Sequence, residues 1–159
     1  MKSDGEVSGR KLLSWLSPDP KWGSLQGLLA TTYELDADFL ETDFLPCVLG
    51  LESRTAWNTR IAMEKRLSEM DSRVVILSEA RRYRNRPRSL QLELVPAVSP
   101  RGSALHAKIT LLVFDRAIRF IVGSANLTER GYRKNRESVA VLTATKDQRA
   151  HARVIDSAI

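Results

Sequence analysis

Residues 105–126 read LHAKITLLVFDRAIRFIVGSAN, and their pattern decides the fold. The apolar and β-branched runs 107–114 and 118–122 are separated only by Asp115-Arg116-Ala117, which predicts neighbouring antiparallel strands of one hairpin. On a strand, residues two apart share a face, so His106 and Lys108 point one way and Ala107 the other. The hairpin brings Gly123 to Asn126 back beside the start of the first strand. Ser124 and Asn126 are again two apart, and Gly123 is expected to let a bulky anion approach the backbone closely. Four polar side chains therefore converge on one spot.

Working outward, Leu28 to Tyr33 is a short run that suits a buried strand, and Val74 to Leu77 is continuous and apolar, as for a strand covered on both faces. Leu90, Leu92 and Leu94 alternate with polar residues, which predicts a strand with one wet face near a sheet edge. Val139 to Leu142 supplies a last strand. Asp36 or Asp38 is placed to cap a helix in which residues 39, 40, 44 and 45 are apolar, and Pro46 is expected to kink or end it. A second helix is predicted over 56–70, with Ile61, Met63, Leu67 and Met70 as its buried face. After Lys146 the composition turns helical again. The fold class expected is α/β: a mixed β-sheet flanked by helices on both faces. Residues 1–24, with Trp15 and Trp22 among glycines, prolines and charges, are expected to form an N-terminal arm rather than core, and 25–159 the domain proper. With no helix stop before Ile159, the sequence is read as a candidate first half of a longer protein.

The 159 residues suit one domain, 43% hydrophobic and 28% charged. Twenty-five lysines and arginines against nineteen acids leave a net charge of +6, which favours polyanionic partners. A single cysteine, Cys47, excludes an intrachain disulfide, and with two histidines the chain lacks the ligands for a structural zinc site. No stretch approaches the ~20 apolar residues of a membrane span, and the acidic start is unlike a signal peptide. A cytoplasmic protein without cofactor or metal is expected.

The converging residues suit a phosphodiester. A neutral imidazole at His106 is able to attack phosphorus, while Lys108 and the Asn126 amide donate to the oxygens where charge gathers, with no metal required. Ser124 is expected to shape the loop, and Glu137, on the next strand, to accept the other ring N–H of His106 and fix its tautomer. In 81–88, five arginines and Tyr83 occupy eight residues; Arg81, Arg82, Tyr83 and Arg84 are read as contacts to backbone phosphates and bases. Arg130, Arg133, Lys134 and Arg136 extend the same field. Each residue also has a plainer reading: Asn126 with Glu129 fits a helix N-cap, Glu137 a salt bridge to Arg133 or Arg136, and the arginine run a solvated surface.

At these residues the sequence resembles the phospholipase D superfamily, whose signature is His-x-Lys followed by Gly-Ser-x-Asn. His106, Lys108, Gly123, Ser124 and Asn126 carry the match, closer to the nuclease and tyrosyl-DNA phosphodiesterase branches than to the lipases. The family's aspartate five residues after the lysine is replaced here by Val113, with Asp115 two places late. The resemblance implies a metal-independent phosphodiesterase acting through phosphohistidine on nucleic acid, DNA ahead of RNA, with Glu137 as the acidic partner. It also implies two motifs per active unit. Only one is present, and His151 lacks a lysine two places on, so the second is expected from a homodimer or from a second half of a longer chain. Two alternatives stay open: a DNA-binding or targeting domain of a larger helicase or restriction-type protein, and a phospholipid phosphodiesterase.

Overall fold

The hairpin forms as its pattern predicts. In a computed structural model, which describes residues 12–51, 56–70 and 73–145, β6 (Ile109–Phe114) and β7 (Ala117–Gly123) pair antiparallel about Asp115 and Arg116. With β1 (Leu25–Thr32), β3 (Val74–Glu79), β5 (Leu92–Ala97) and β8 (Val139–Thr145) they form a six-stranded sheet in the order β5-β3-β1-β6-β7-β8. The pairs β1–β3 and β3–β5 are parallel, while β1–β6, β6–β7 and β7–β8 are antiparallel. The sheet is therefore mixed and the class α/β. Two short strands, β2 (Leu35–Asp36) and β4 (Tyr83–Arg84), pair beside it.

Period-2 burial follows from which face is covered. Leu28, Ala30, Val74, Ile76, Leu112 and Phe114 are buried in one cluster with Phe39, Leu40, Phe44, Leu45, Met63 and Leu67 from the helical segments. Leu29, Val122 and Leu142 point the other way and are 40–41% exposed. Val75 and Leu77 are only half-buried, so the run 74–77 is covered more fully on one face than its composition suggests. β5 is the edge strand expected; it begins at Leu92, and Leu90 stands 96% exposed before it. The helix expected after Lys146, and His151 with it, lie outside the described residues.

Three expectations are corrected. Pro46 neither ends nor breaks its helix: residues 37–48 continue from Ala37–Phe39 through a π-helical turn, Leu40–Phe44, into Leu45–Val48. The apolar pairs 39/44 and 40/45 are five apart, one residue more than an α repeat brings to one face, and the wider turn absorbs that residue. Pro46 then falls in the first turn of the following α segment, where an N–H is not needed. Asp36 caps the start, its Oδ1 accepting from Asp38 N at 3.1 Å and Phe39 N at 3.3 Å. In the helix Ala56–Ser68, Met63 and Leu67 are buried at i, i+4 and Met70 packs against the same cluster, but Ile61 is 53% exposed, two residues off that stripe.

The third correction concerns the arm. Leu16 and Trp22 belong to the core, Trp22 packing on Phe114 at 5.3 Å between centroids and under the Arg119 guanidinium at 4.1 Å. Asp115 ties this segment to the hairpin tip: Oδ2 accepts from Ser24 N at 2.7 Å and Oδ1 from Gln26 Nε2 at 2.6 Å. Gly23 makes the approach possible, since its φ is +80° and a Cβ there would lie 2.3 Å from Asp115 Oδ2. Asp115 thus lies beyond the far end of β6 from His106, about 20 Å along a six-residue strand at ~3.3 Å per residue.

Candidate active site

One end of the sheet collects the candidate residues. The C-terminal ends of β1, β3 and β7 and the N-terminal ends of β6 and β8 lie side by side there, as the pairs Thr31–Ile109, Thr31–Leu77, Ile109–Val122 and Val122–Ala140 require. His106 is exposed and Lys108 half-buried, both just before β6. Lys108 Nζ lies 2.9 Å from Nδ1 and 3.2 Å from Nε2 of His106, and donates to the His106 carbonyl at 2.8 Å. Partial burial lowers the Lys108 pKa, opposed by the negative charge of Glu137. The imidazole and the amine are thus in direct contact.

Asn126 is held by its carbonyl end. Oδ1 accepts from Glu34 N at 3.2 Å, and Thr32 Oγ1, 3.4 Å from the same oxygen, donates to Glu34 O at 2.6 Å and accepts from Leu127 N at 3.0 Å. These bonds knot the loop after β7 to the end of β1, and among the described residues nothing takes the two Nδ2 hydrogens. Asn126 is not the helix cap that its spacing to Glu129 allowed; Thr128 is, with Oγ1 accepting from Gly131 N at 3.0 Å ahead of the turn Arg130–Lys134.

Glu137 is placed differently from the sequence expectation. Its Oε2 accepts from Ser124 Oγ and its Oε1 from Asn135 Nδ2 at 3.0 Å; neither oxygen bonds the His106 ring. The strand order explains this: β7 lies between β6 and β8, so the first polar group Glu137 meets is Ser124. Ser124 Oγ also accepts from Ser138 N at 3.1 Å, so Ser124 and Glu137 close the β7–β8 end together. Gly123 permits that closure, since a Cβ there would lie 2.8 Å from Ser138 O.

A residue absent from the site expectations packs against the imidazole together with Lys108. Tyr33, directly after β1, has its ring centroid 5.1 Å from that of His106, with Lys108 Nζ at 5.8 Å and Arg82 Cζ at 5.4 Å from its own. The signal available in sequence was an aromatic at a strand end; the β1–β6 pairing that brings it to His106 was not legible. Arg82 carries the arginine loop to the same place, through Leu35 N donating to Arg82 O at 3.0 Å. Arg81, Arg82, Arg84 and Arg86 are exposed and Tyr83 is 37% exposed. Arg88 is engaged elsewhere, 3.6 Å from Asp38, with its backbone N–H on Glu41 at 2.6 Å. Arg133 pairs with Asp43 and Lys134 with Glu129 at 3.2 Å, so neither adds a free charge to the field expected of them.

Comparison with known proteins fits this arrangement. The family described as "Cardiolipin synthase, PLD-like domain" matches residues 57–158, more than half of the chain. This chain belongs to that phospholipase D-like family. No curated protein matches it in sequence. Among solved structures, yeast tyrosyl-DNA phosphodiesterase shares the fold at a TM-score of 0.52 and 12% identity, over 83% of this chain and 27% of that one. The phospholipase D family member Nuc from Salmonella typhimurium is similar at a TM-score of 0.47 and 17% identity, over 91% and 80% of the two chains. NucT from Helicobacter pylori stands at 0.46 and 14%, over 92% and 81%. The chain spans about a quarter of the tyrosyl-DNA phosphodiesterase chain. Among the described residues, no helix is long and apolar enough to cross a membrane, and no three His, Cys, Asp or Glu cluster as metal ligands.

Proposed function

We propose that this phospholipase D-like chain is a metal-independent phosphodiesterase that cleaves nucleic acid through a phosphohistidine on His106. The observation that carries the reading is the contact of His106 and Lys108 beside Tyr33, with Arg82 and its exposed arginine loop at the same sheet end. A ring nitrogen of His106 attacks phosphorus; the P–N bond forms as the P–O bond to the leaving group breaks, and that oxygen takes a proton from an acid. Water then breaks the P–N bond and releases the second product. Lys108 and the free amide hydrogens of Asn126 donate to the phosphoryl oxygens, which requires Nζ to swing off the imidazole as the phosphate enters. The acid is supplied by a second motif, from another copy of the chain or from a longer chain that contains it. DNA is put ahead of RNA because the phosphodiesterase sharing the fold acts, by its name, on a DNA linkage.

The position of Glu137 favours a second reading, a domain that grips nucleic acid without cutting, because Glu137 bonds Ser124 and Asn135 and among the described residues no carboxylate bonds the imidazole. Labelled DNA and RNA oligonucleotides incubated with the full chain in excess EDTA separate the two. Cleavage is expected; tight binding without cleavage supports the binding module, and hydrolysis confined to cardiolipin vesicles overturns both. The arginine loop has its own test. Replacing Arg81, Arg82 and Arg84 together with alanine should weaken binding at low salt and make the slope of log affinity against log salt shallower by about 2 to 3, since each phosphate contact contributes ~0.7–0.9. An unchanged slope removes the loop from the interface.

A further inference from the structure

Residues 103–108 lie outside every strand, so His106 is not placed by the ladder of β6, which begins at Ile109. Its two chain neighbours are held by side chains instead. On one side, Leu105 N donates to Glu79 Oε2 at 2.9 Å, and the same oxygen accepts from Ser99 Oγ at 2.8 Å. On the other, Thr31 Oγ1 donates to Ala107 O at 2.9 Å while accepting from Ile109 N at 3.1 Å. Glu79 closes β3 and Thr31 is the next-to-last residue of β1, and the two strands are parallel neighbours with Thr31 opposite Leu77, so both side chains rise from one face of the sheet end.

We propose that Glu79 and Thr31 are positioning residues for His106, a bracket that sets the direction of the imidazole through the Leu105 N–H and the Ala107 carbonyl. This rests on the reading of His106 as nucleophile. Between the Gly123 N bond to Lys108 O at 3.0 Å and the end of β3, the backbone about residue 106 is held by these two tethers and by Lys108 Nζ on the His106 carbonyl, and a nucleophile misdirected by about an ångström loses rate rather than substrate affinity. The Leu105 and Ser99 hydrogen bonds also hold the Glu79 carboxyl below the ordinary carboxylate range, so the acceptor is charged at neutral pH. Neither residue touches the imidazole, and each offers what a short backbone tether needs: an oxygen able to accept, and in Thr31 one able to do both.

The test uses Glu79→Ala, Glu79→Gln, Thr31→Val and Thr31→Ser in the full chain. Two quantities are read: imidazole resonances of His106, assigned against His106→Ala, and steady-state cleavage in EDTA. Glu79→Ala and Thr31→Val should shift the His106 resonances and lower kcat by roughly 10- to 100-fold with KM within about threefold. Glu79→Gln and Thr31→Ser, which keep the accepting oxygen and the hydroxyl, should restore both. Unmoved resonances and rates in the Ala and Val variants overturn the bracket, as does a loss that follows KM or the melting temperature alone. If the wild-type chain cleaves nothing, the nuclease reading falls, and the resonances alone then decide the bracket.

Discussion

His106→Ala should abolish cleavage, by at least about a thousandfold in kcat, while leaving the folded state almost untouched. Both halves follow from where the side chain sits. The ring is exposed and touches Lys108 and Tyr33 rather than the core, so its removal is a surface change, worth within ~0.5 kcal/mol of stability. Chemistry is a different matter, because removing a nucleophile removes the covalent route, and comparable deletions elsewhere cost up to ~10⁶ in kcat. Lys108→Ala should be less severe, on the order of 10² to 10³, the size of losing one donor to a developing oxyanion. Single-turnover cleavage at saturating oligonucleotide, beside a urea melt of each variant, checks the pair. A His106→Ala protein that retains a tenth of wild-type activity removes His106 from the mechanism, and one that unfolds at markedly lower urea shows that the ring is structural.

The sequence carried the parts of the fold that depend on local period. The hairpin of β6 and β7, the edge character of β5 and the helix Ala56–Ser68 were legible because alternation and turn length are properties of neighbouring residues. What failed depended on which strand lies beside which. Its place on the next strand and the phospholipase D resemblance both point Glu137 toward the imidazole, but the interposed β7 gives it Ser124 instead. Tyr33 reads only as the end of a strand, because nothing local to residues 28–33 says that β1 pairs with β6. The anchoring of Asn126 to Glu34 N spans 92 residues and has no local trace. The π turn at 40–44 is an intermediate case: apolar residues at 39, 40, 44 and 45 mark a helix, but two pairs five apart do not by themselves separate a π turn from an α-helix.

That turn carries the second large effect. Phe44, at its end, has no exposed surface, and its ring meets Tyr132 edge-on at 5.7 Å between centroids, while Phe39 meets the same ring at 5.4 Å. Burial raises the Tyr132 pKa far above its ordinary value, against a hydrogen bond with Thr110 on β6, so the phenol stays neutral and stitches the sheet to the turn after Asn126. Phe44→Ala opens a cavity at the centre of this aromatic set and should cost about 3–5 kcal/mol, of which the edge-on pair accounts for about 0.5–1.5. A domain stable by ~5–15 kcal/mol loses much of its margin. The urea midpoint should fall with the m-value unchanged, and Phe44→Leu, which keeps most of the volume, should cost clearly less. The activity signature differs from that of His106→Ala. Below its melting temperature, Phe44→Ala should cleave at a rate proportional to its folded fraction, because the π turn supports the wall behind Asn126 and touches neither the imidazole nor the amine. A destabilisation under about 1 kcal/mol would mean that the helix 37–48 repacks without its aromatic anchor.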